Sequence, residues 1–373
     1  MTETLRRATL TAVTGLGLCL TLLPAGQAHA QVQTRVPCND VAALKTAINN
    51  ANTSGGSIVL APRCVYSLTQ ADNEGDGLPE ITGKVRITGD HTTIQRYAVG
   101  TFRIFHVRQG GSLSLKSVTV RGGEPTPGAG SHGGGILNDR GTLTLTGVTV
   151  RNNRSGVGGG IWNNRGVLVL KDTTVRDNSA NTGGGVATNG TMTMRGGALR
   201  DNMGGIRGGG LANAGDTKLD HVSVDGNDAG EYGGGIVTMA IDDYHGPLRM
   251  NSTQVRDNIA GTDGGGILLA ADEPTTLYRS SVSHNTANGG PARAGGIENS
   301  GLIFRLFLVG TSGSSLNEQS GGADAAQTPH KVTLIRSTVF KNYPTNCAPP
   351  GSVPGCDADG SAPATNTPKP SRG

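Results

Sequence analysis

The residues best placed to do chemistry lie in three segments, "TMAIDDYHGP", "LAADEPTT" and the stretch from about Val309 to His330. Together they carry Asp242, Asp243, Tyr244, His245, Asp272, Glu273, Glu318, Asp324 and His330. Clustered carboxylates can ligate calcium through oxygen, or divide the roles of general acid and general base on a glycosidic bond. Asp242, Asp243, His245, Asp272 and Glu273 are thus the catalytic candidates. Against this stands the plain reading of acidic side chains as solvated loop charge. Two further features suit binding rather than catalysis. The sole tryptophan, Trp162, offers with Tyr244 an aromatic face for a sugar or a protein partner. Arg151, Arg176, Arg200 and Arg256 recur at one place in a repeat and could hold an acidic polysaccharide. Their neighbours Asp177, Asp201 and Asp257 would instead neutralise them and leave a soluble face.

These residues are positioned by a repeat. The triplet GGG ends at Gly135, Gly160, Gly185, Gly210, Gly235 and Gly266, with a weaker AGG ending at Gly296. The first four steps are each 25 residues. A fixed period of this size marks stacked units, none of which buries its apolar face alone. An aliphatic residue follows each triplet (Ile136, Ile161, Val186, Leu211, Ile236, Ile267, Ile297), and two places on stands Asn138, Asn163, Thr188, Asn213, Thr238 or Asn299. Alternation with period two is strand. Each unit then closes on V/L-x-x-N, at Asn153, Asn178, Asn202, Asn227, Asn258, Asn285 and Asn342. The 61 glycines serve corners that need positive φ, and a repeated Asn can hydrogen-bond to its copies in adjoining units. Three short strands per 25-residue circuit predict a parallel β-helix. Its Asn138, Asn163 and Asn213 should stand in one column, and its longer periods should place their extra residues on one shared edge, as a wall. The residues between the aliphatic and the Asn (Leu137, Trp162, Ala187, Ala212, Val237, Leu268, Glu298) are expected to face outward.

Around this centre, residues 1–30 read as a signal peptide: Arg6 and Arg7, an apolar run from about Leu16 to Leu23, and Ala28-His29-Ala30. Without them 30 Lys and Arg face 27 Asp and Glu, a balance that implies neither nucleic acid nor an anionic membrane. No later segment has the run of apolar residues that a membrane span needs. Of the five cysteines, Cys19 falls in the signal; Cys38 and Cys64, and Cys347 and Cys356, lie near opposite ends. The ends of a long rod are too far apart to cross-link, so each pair is expected to close on itself. Residues 31–65 form an N-terminal cap, where Val41, Leu44, Ala47, Ile48 and Ala51 are spaced as a helix behind an N-cap at Asn39 or Asp40. Residues 66–346 form the β-helix. Residues 347–373 form a C-terminal closure and a disordered tail.

The GGGI-x-N and V/L-x-x-N signals, behind "L-x-x-AI-x-x-AN" and "YSLT", resemble the secreted bacterial β-helix proteins of the pectin-lyase-like superfamily, in particular those with polymorphic-outer-membrane-protein repeats. The resemblance spans about residues 38 to 345 and implies an all-β, right-handed parallel β-helix solenoid with an N-terminal capping helix. Members that give the repeat its name carry Phe where this chain has Val or Leu, and end in an outer-membrane barrel that is not expected here. Polygalacturonase-type members carry Asn-Thr-Asp, Asp-Asp, Gly-His-Gly and Arg-Ile-Lys in order. This chain has only Asp242-Asp243 with His245 nearby, so that chemistry does not transfer. The expectation is a secreted, extracellular, monomeric protein that binds an extracellular polysaccharide or cell-surface glycan without catalysis. The alternative is a polysaccharide lyase or glycoside hydrolase using the acidic wall. No cofactor or metal is called for, with calcium the one candidate.

Overall fold

Every rung is wound from the same alternation of inward aliphatic and outward polar residues. In a computed structural model the described residues are 33–128, 131–242, 244–301, 304–307, 317–320 and 329–357. The expected signal peptide, Asp243, Asp324 and the tail from 358 onward lie outside them. Among the described residues, sheets of seventeen, nine and six strands run along the molecule, their strands paired parallel to the equivalent strand one circuit away. The parallel β-solenoid is the expected fold. Ile136 pairs with Ile161, Ile161 with Val186, Val186 with Leu211 and Leu211 with Ile236, carrying Asn138, Asn163, Thr188, Asn213 and Thr238 into one column. One 25-residue period is therefore one circuit. The aliphatic column is at most 1 % exposed and fills the lumen. Each such side chain contributes about 1.5–3 kcal/mol by leaving water.

Two kinds of corner shape the circuit. In the seventeen-stranded sheet the strand Val167–Arg176 bends at Asp172, with φ of 47°, so that Leu168, Leu170 and Val175 all point inward. The next corner places Asn152, Asp177, Asp201 and Asp257 at φ of 53° to 56°, a conformation these short polar residues tolerate. The asparagine that follows turns into the lumen. There Asn153, Asn178, Asn202, Asn227, Asn258, Asn285 and Asn342 form an unbroken ladder, each Nδ2 donating to the next Oδ1 at 2.8–3.0 Å until Asn342 donates to Asn346 at 3.2 Å. At the third corner glycine is obligatory: a Cβ on Gly159 would lie 2.4 Å from the carbonyl oxygen of Ser179 and 2.5 Å from that of Gly184.

The helix Val41–Ser54 starts at Asp40, whose side chain accepts from Ala43 N at 2.8 Å, while Asn39 instead accepts from Ser67 N. Its buried Leu44, Ala47, Ile48 and Ala51 join the same apolar cluster as Val36, Ile58 and Ile87 of the first strands, so the helix adds to the lumen's core at that end. Disulfides join Cys38 to Cys64 and Cys347 to Cys356, as expected. Among the described residues no helix is long and apolar enough to cross a membrane.

One expectation fails. The column does point away from the lumen, yet Leu137 is half-buried and Trp162, Ala187, Ala212, Val237, Leu268 and Glu298 are each at most 1 % exposed. Among the described residues, Ala240–Ile241 and Phe304–Phe307 lie over it. Ala240–Ile241 pairs with Phe304–Phe307, which pairs with Asn317–Ser320, forming a small sheet that roofs the nine-stranded one. Met239, Ile241, Phe304 and Leu306 close a second apolar core on Trp162 and the alanines. An uncovered apolar strip along several rungs would face water at a cost, and the extra residues in the expanded periods give the chain the length to cover it.

Candidate functional site

Among the described residues, the acids Asp242, Asp272 and Glu273 of the excursions each meet a basic partner. Asp242 Oδ2 lies 3.0 Å from Arg165 Nη2, three rungs back, and the same guanidinium sits 4.6 Å over the ring of Tyr244. His245 Nδ1 meets Glu273 at 3.0 Å, and His330 Nδ1 meets Asp272 at 3.3 Å. Acid alternates with base, and no two of these carboxylates are shown paired across a cleft. The side chain of Glu318 and all of Asp243 and Asp324 lie outside the described residues. Of the two aromatic binding candidates, Tyr244 remains 42 % exposed, whereas Trp162 is sealed under the roof and presents no open face. Trp162 lies 6.4 Å, centroid to centroid, from His132. Burial, reinforced by Arg103 and opposed by Asp242, pushes the His132 imidazole down to about 4, so it is neutral at neutral pH.

The arginine column is more complete than the repeat alone suggested. Arg121 pairs with Arg151, Arg151 with Arg176, and Arg176 with Arg200, on successive strands about 4.8 Å apart. Across the bend of the same sheet, Lys116, Thr146, Lys171 and Arg195 form a second column, its three basic members exposed. The aspartates do not neutralise the first column evenly. Among the described hydrogen bonds and ion pairs, Arg176 pairs with Asp177, while Arg121 donates to Gln95 and Arg151 to Asn152. Partial burial, followed by the charges of Arg121 and Arg176, holds Arg151 below its ordinary value in spite of Asp177. Beyond Arg200 the column changes sign: Asp225 follows, and Arg256 contacts both Asp225 and Asp257.

Two buried polar groups escaped sequence reasoning. In the first rungs Asp76, Arg103 and His106 converge: Arg103 Nη1 is 2.7 Å from Asp76 Oδ1, and His106 Nδ1 is 3.1 Å from Asp76 Oδ2 and 3.4 Å from Glu80 Oε1. Burial alone would raise the Asp76 carboxyl, but the hydrogen bond from His106 and the charge of Arg103 outweigh it and hold it below its usual value. At the other end Glu298, in the roofed column, is pushed up to about 7 by burial, with the Asp263 charge adding to the shift and the Ala294 N–H, 2.8 Å away, opposing it. His106 and Glu298 both sit in the column of Leu137, Trp162 and Leu268, but Asp76 belongs to no repeated position. The one available signal was a polar residue, His106 or Glu298, standing in an otherwise apolar column.

No protein-family model, curated protein or solved structure matches this chain. The functional reading therefore stands on the geometry itself.

Proposed function

We propose that the protein is an exported, extracellular glycan-binding protein whose ligand is a polyanion lying along the solenoid on the column Arg121, Arg151, Arg176 and Arg200. The carrying observation is that these four guanidiniums repeat at the strand spacing while only Arg176 has a carboxylate partner among their described ion pairs. Stacked like charges repel, and an anionic chain relieves that repulsion along its whole length. Lys116, Lys171 and Arg195 widen the basic face. The two disulfides suit an oxidising compartment, and the solenoid suits a surface or glycan-related role of the kind its repeats suggest. In this reading the protein is a monomer of the pectin-lyase-like architecture. The lyase or hydrolase alternative gains no support, because Asp242, Asp272 and Glu273 are each matched to a base.

The test is affinity for polygalacturonate, a sulfated glycan and neutral dextran at low and high salt. The two polyanions should bind, more weakly as salt rises. Arg151→Gln with Arg176→Gln should weaken them about tenfold or more, the scale of charge-assisted hydrogen bonds. Equal binding by dextran, or no effect of the double substitution, would overturn the reading.

A further inference from the structure

The arginine column ends abruptly, and so does the basic column beside it. One strand before Arg121 stands Gln95, and one strand before Lys116 stands Thr88, both uncharged. One strand after Arg200 stands Asp225, and one strand after Arg195 stands Asp220. Both columns therefore change sign at the same rung, and the basic patch between their ends is four rungs long. From Arg121 to Arg200 it covers three strand steps, roughly 14 Å. The two acids are held in place. Asn251 Nδ2 donates to Asp220 Oδ1 at 2.6 Å, and His221 Nδ1 lies 2.8 Å from the same oxygen. The Asn251 hydrogen bond, with His221 and Arg195 adding to it, holds the Asp220 carboxyl below its usual value. Asp225 Oδ2 meets Arg256 Nη2 at 3.0 Å, but that guanidinium also contacts Asp257, so one positive charge is shared between two carboxylates.

An anionic chain lying along the columns gains an attractive contact at each rung up to Arg200 and meets like charge at the next. Asp225 is one strand step, about 4.8 Å, from Arg200, well inside the screening length of about 8 Å at physiological salt. Asp177, paired with Arg176, already thins the attraction toward that end. We propose that Asp220 and Asp225 are specificity-determining residues that close the polyanion site on one side, so that it recognises a run of about four charges, one per basic rung, and not an indefinite length of chain. This rests on the polyanion reading above and adds to it a length and a direction. A ligand longer than the patch leaves it over Thr88 and Gln95, where the columns carry no charge, and not over the two aspartates.

The experiment measures the affinity of the purified full chain, at low salt, for oligogalacturonides of two to eight sugars, each sugar carrying one carboxylate. Affinity should climb roughly two- to fivefold with each sugar up to about the fourth, the scale of exposed ion pairs, and then level off. Asp220→Asn with Asp225→Asn should carry the climb past that point, because the repulsion goes and Arg256 is released as a further contact, while the shortest oligomer changes far less. The control is Asp216→Asn with Glu231→Gln, which removes the same charge outside both columns and should leave the plateau where it was. Should the double variant melt early, Asp225→Asn alone carries the test, since Asp220 is the one that holds Asn251. A steady climb to eight sugars in the unsubstituted protein, a plateau that Asp225→Asn does not move, or one that the control pair moves equally would each overturn the assignment while leaving the polyanion reading standing. Failure of every oligomer and of the polymer to bind would overturn both.

Discussion

Replacing Asn202 by alanine tests whether the asparagine ladder holds the solenoid together. Asn202 Nδ2 donates to Asn227 Oδ1 and to Val175 O, both at 3.0 Å, and its Oδ1 accepts from Asn178 N at 3.1 Å and Asn178 Nδ2 at 3.0 Å. Four buried hydrogen bonds at a net of roughly 0.5–1.5 kcal/mol each give about 2–6 kcal/mol, and the stranded Asn178 N–H raises the figure toward its upper end. That is a large share of the 5–15 kcal/mol typical of a folded domain. In a stack where each rung touches only its neighbours, the loss should be local. Hydrogen exchange should therefore speed up most in the rungs flanking Asn202, alongside a lowered urea midpoint. The control is Asn181→Ala, whose exposed side chain lies outside the ladder. If Asn202→Ala costs no more than Asn181→Ala, or if exchange rises evenly along the chain, the ladder is not the fastening described here.

Two further outcomes follow from burial. Because Trp162 is the only tryptophan and is sealed beneath the roof, its native emission should be blue-shifted and resist acrylamide quenching, and Trp162→Ala should cost about 3–5 kcal/mol while leaving polyanion affinity intact; a red-shifted, readily quenched signal would show an open face. For Glu298 the folded carboxyl binds its proton more tightly than the unfolded one, so stability should fall as pH rises from about 4.5 to about 7 and then level off. Glu298→Gln should remove a decline of up to about 3 kcal/mol, seen as a flatter plot of unfolding free energy against pH; parallel curves for the two proteins would refute it.

The circuit was legible because three kinds of position repeat together. Ile136 and its copies, Asn138 and its copies, and Asn153 and its copies each align only if 25 residues make one turn, and the registers agree. The roof follows no period, although its signal is present in the sequence. Trp162 and Leu268 looked like surface because a strand position opposite the lumen ordinarily meets solvent. Met239, Ile241, Phe304 and Leu306 are apolar residues inside segments chosen for their acids, and their hydrophobicity was the clue to what covers that face. Carboxylates drew attention as a possible catalytic set, whereas the fold pairs Asp242 with Arg165 across 77 residues of sequence. The meeting of Asp76 with His106 depends on irregular first rungs, where no period exists to place residue 76 beside residue 106.

A stack of like tiles will grow for as long as its last tile resembles the others. Here the final rung is made different: Asn342 finds its partner not in a further circuit but four residues on, at Asn346, whose side-chain oxygen takes both the backbone N–H and the amide of Asn342. The Cys347–Cys356 crosslink fastens the same short segment from the next residue. The asparagine ladder thus closes on a contact within its own rung, next to a covalent crosslink.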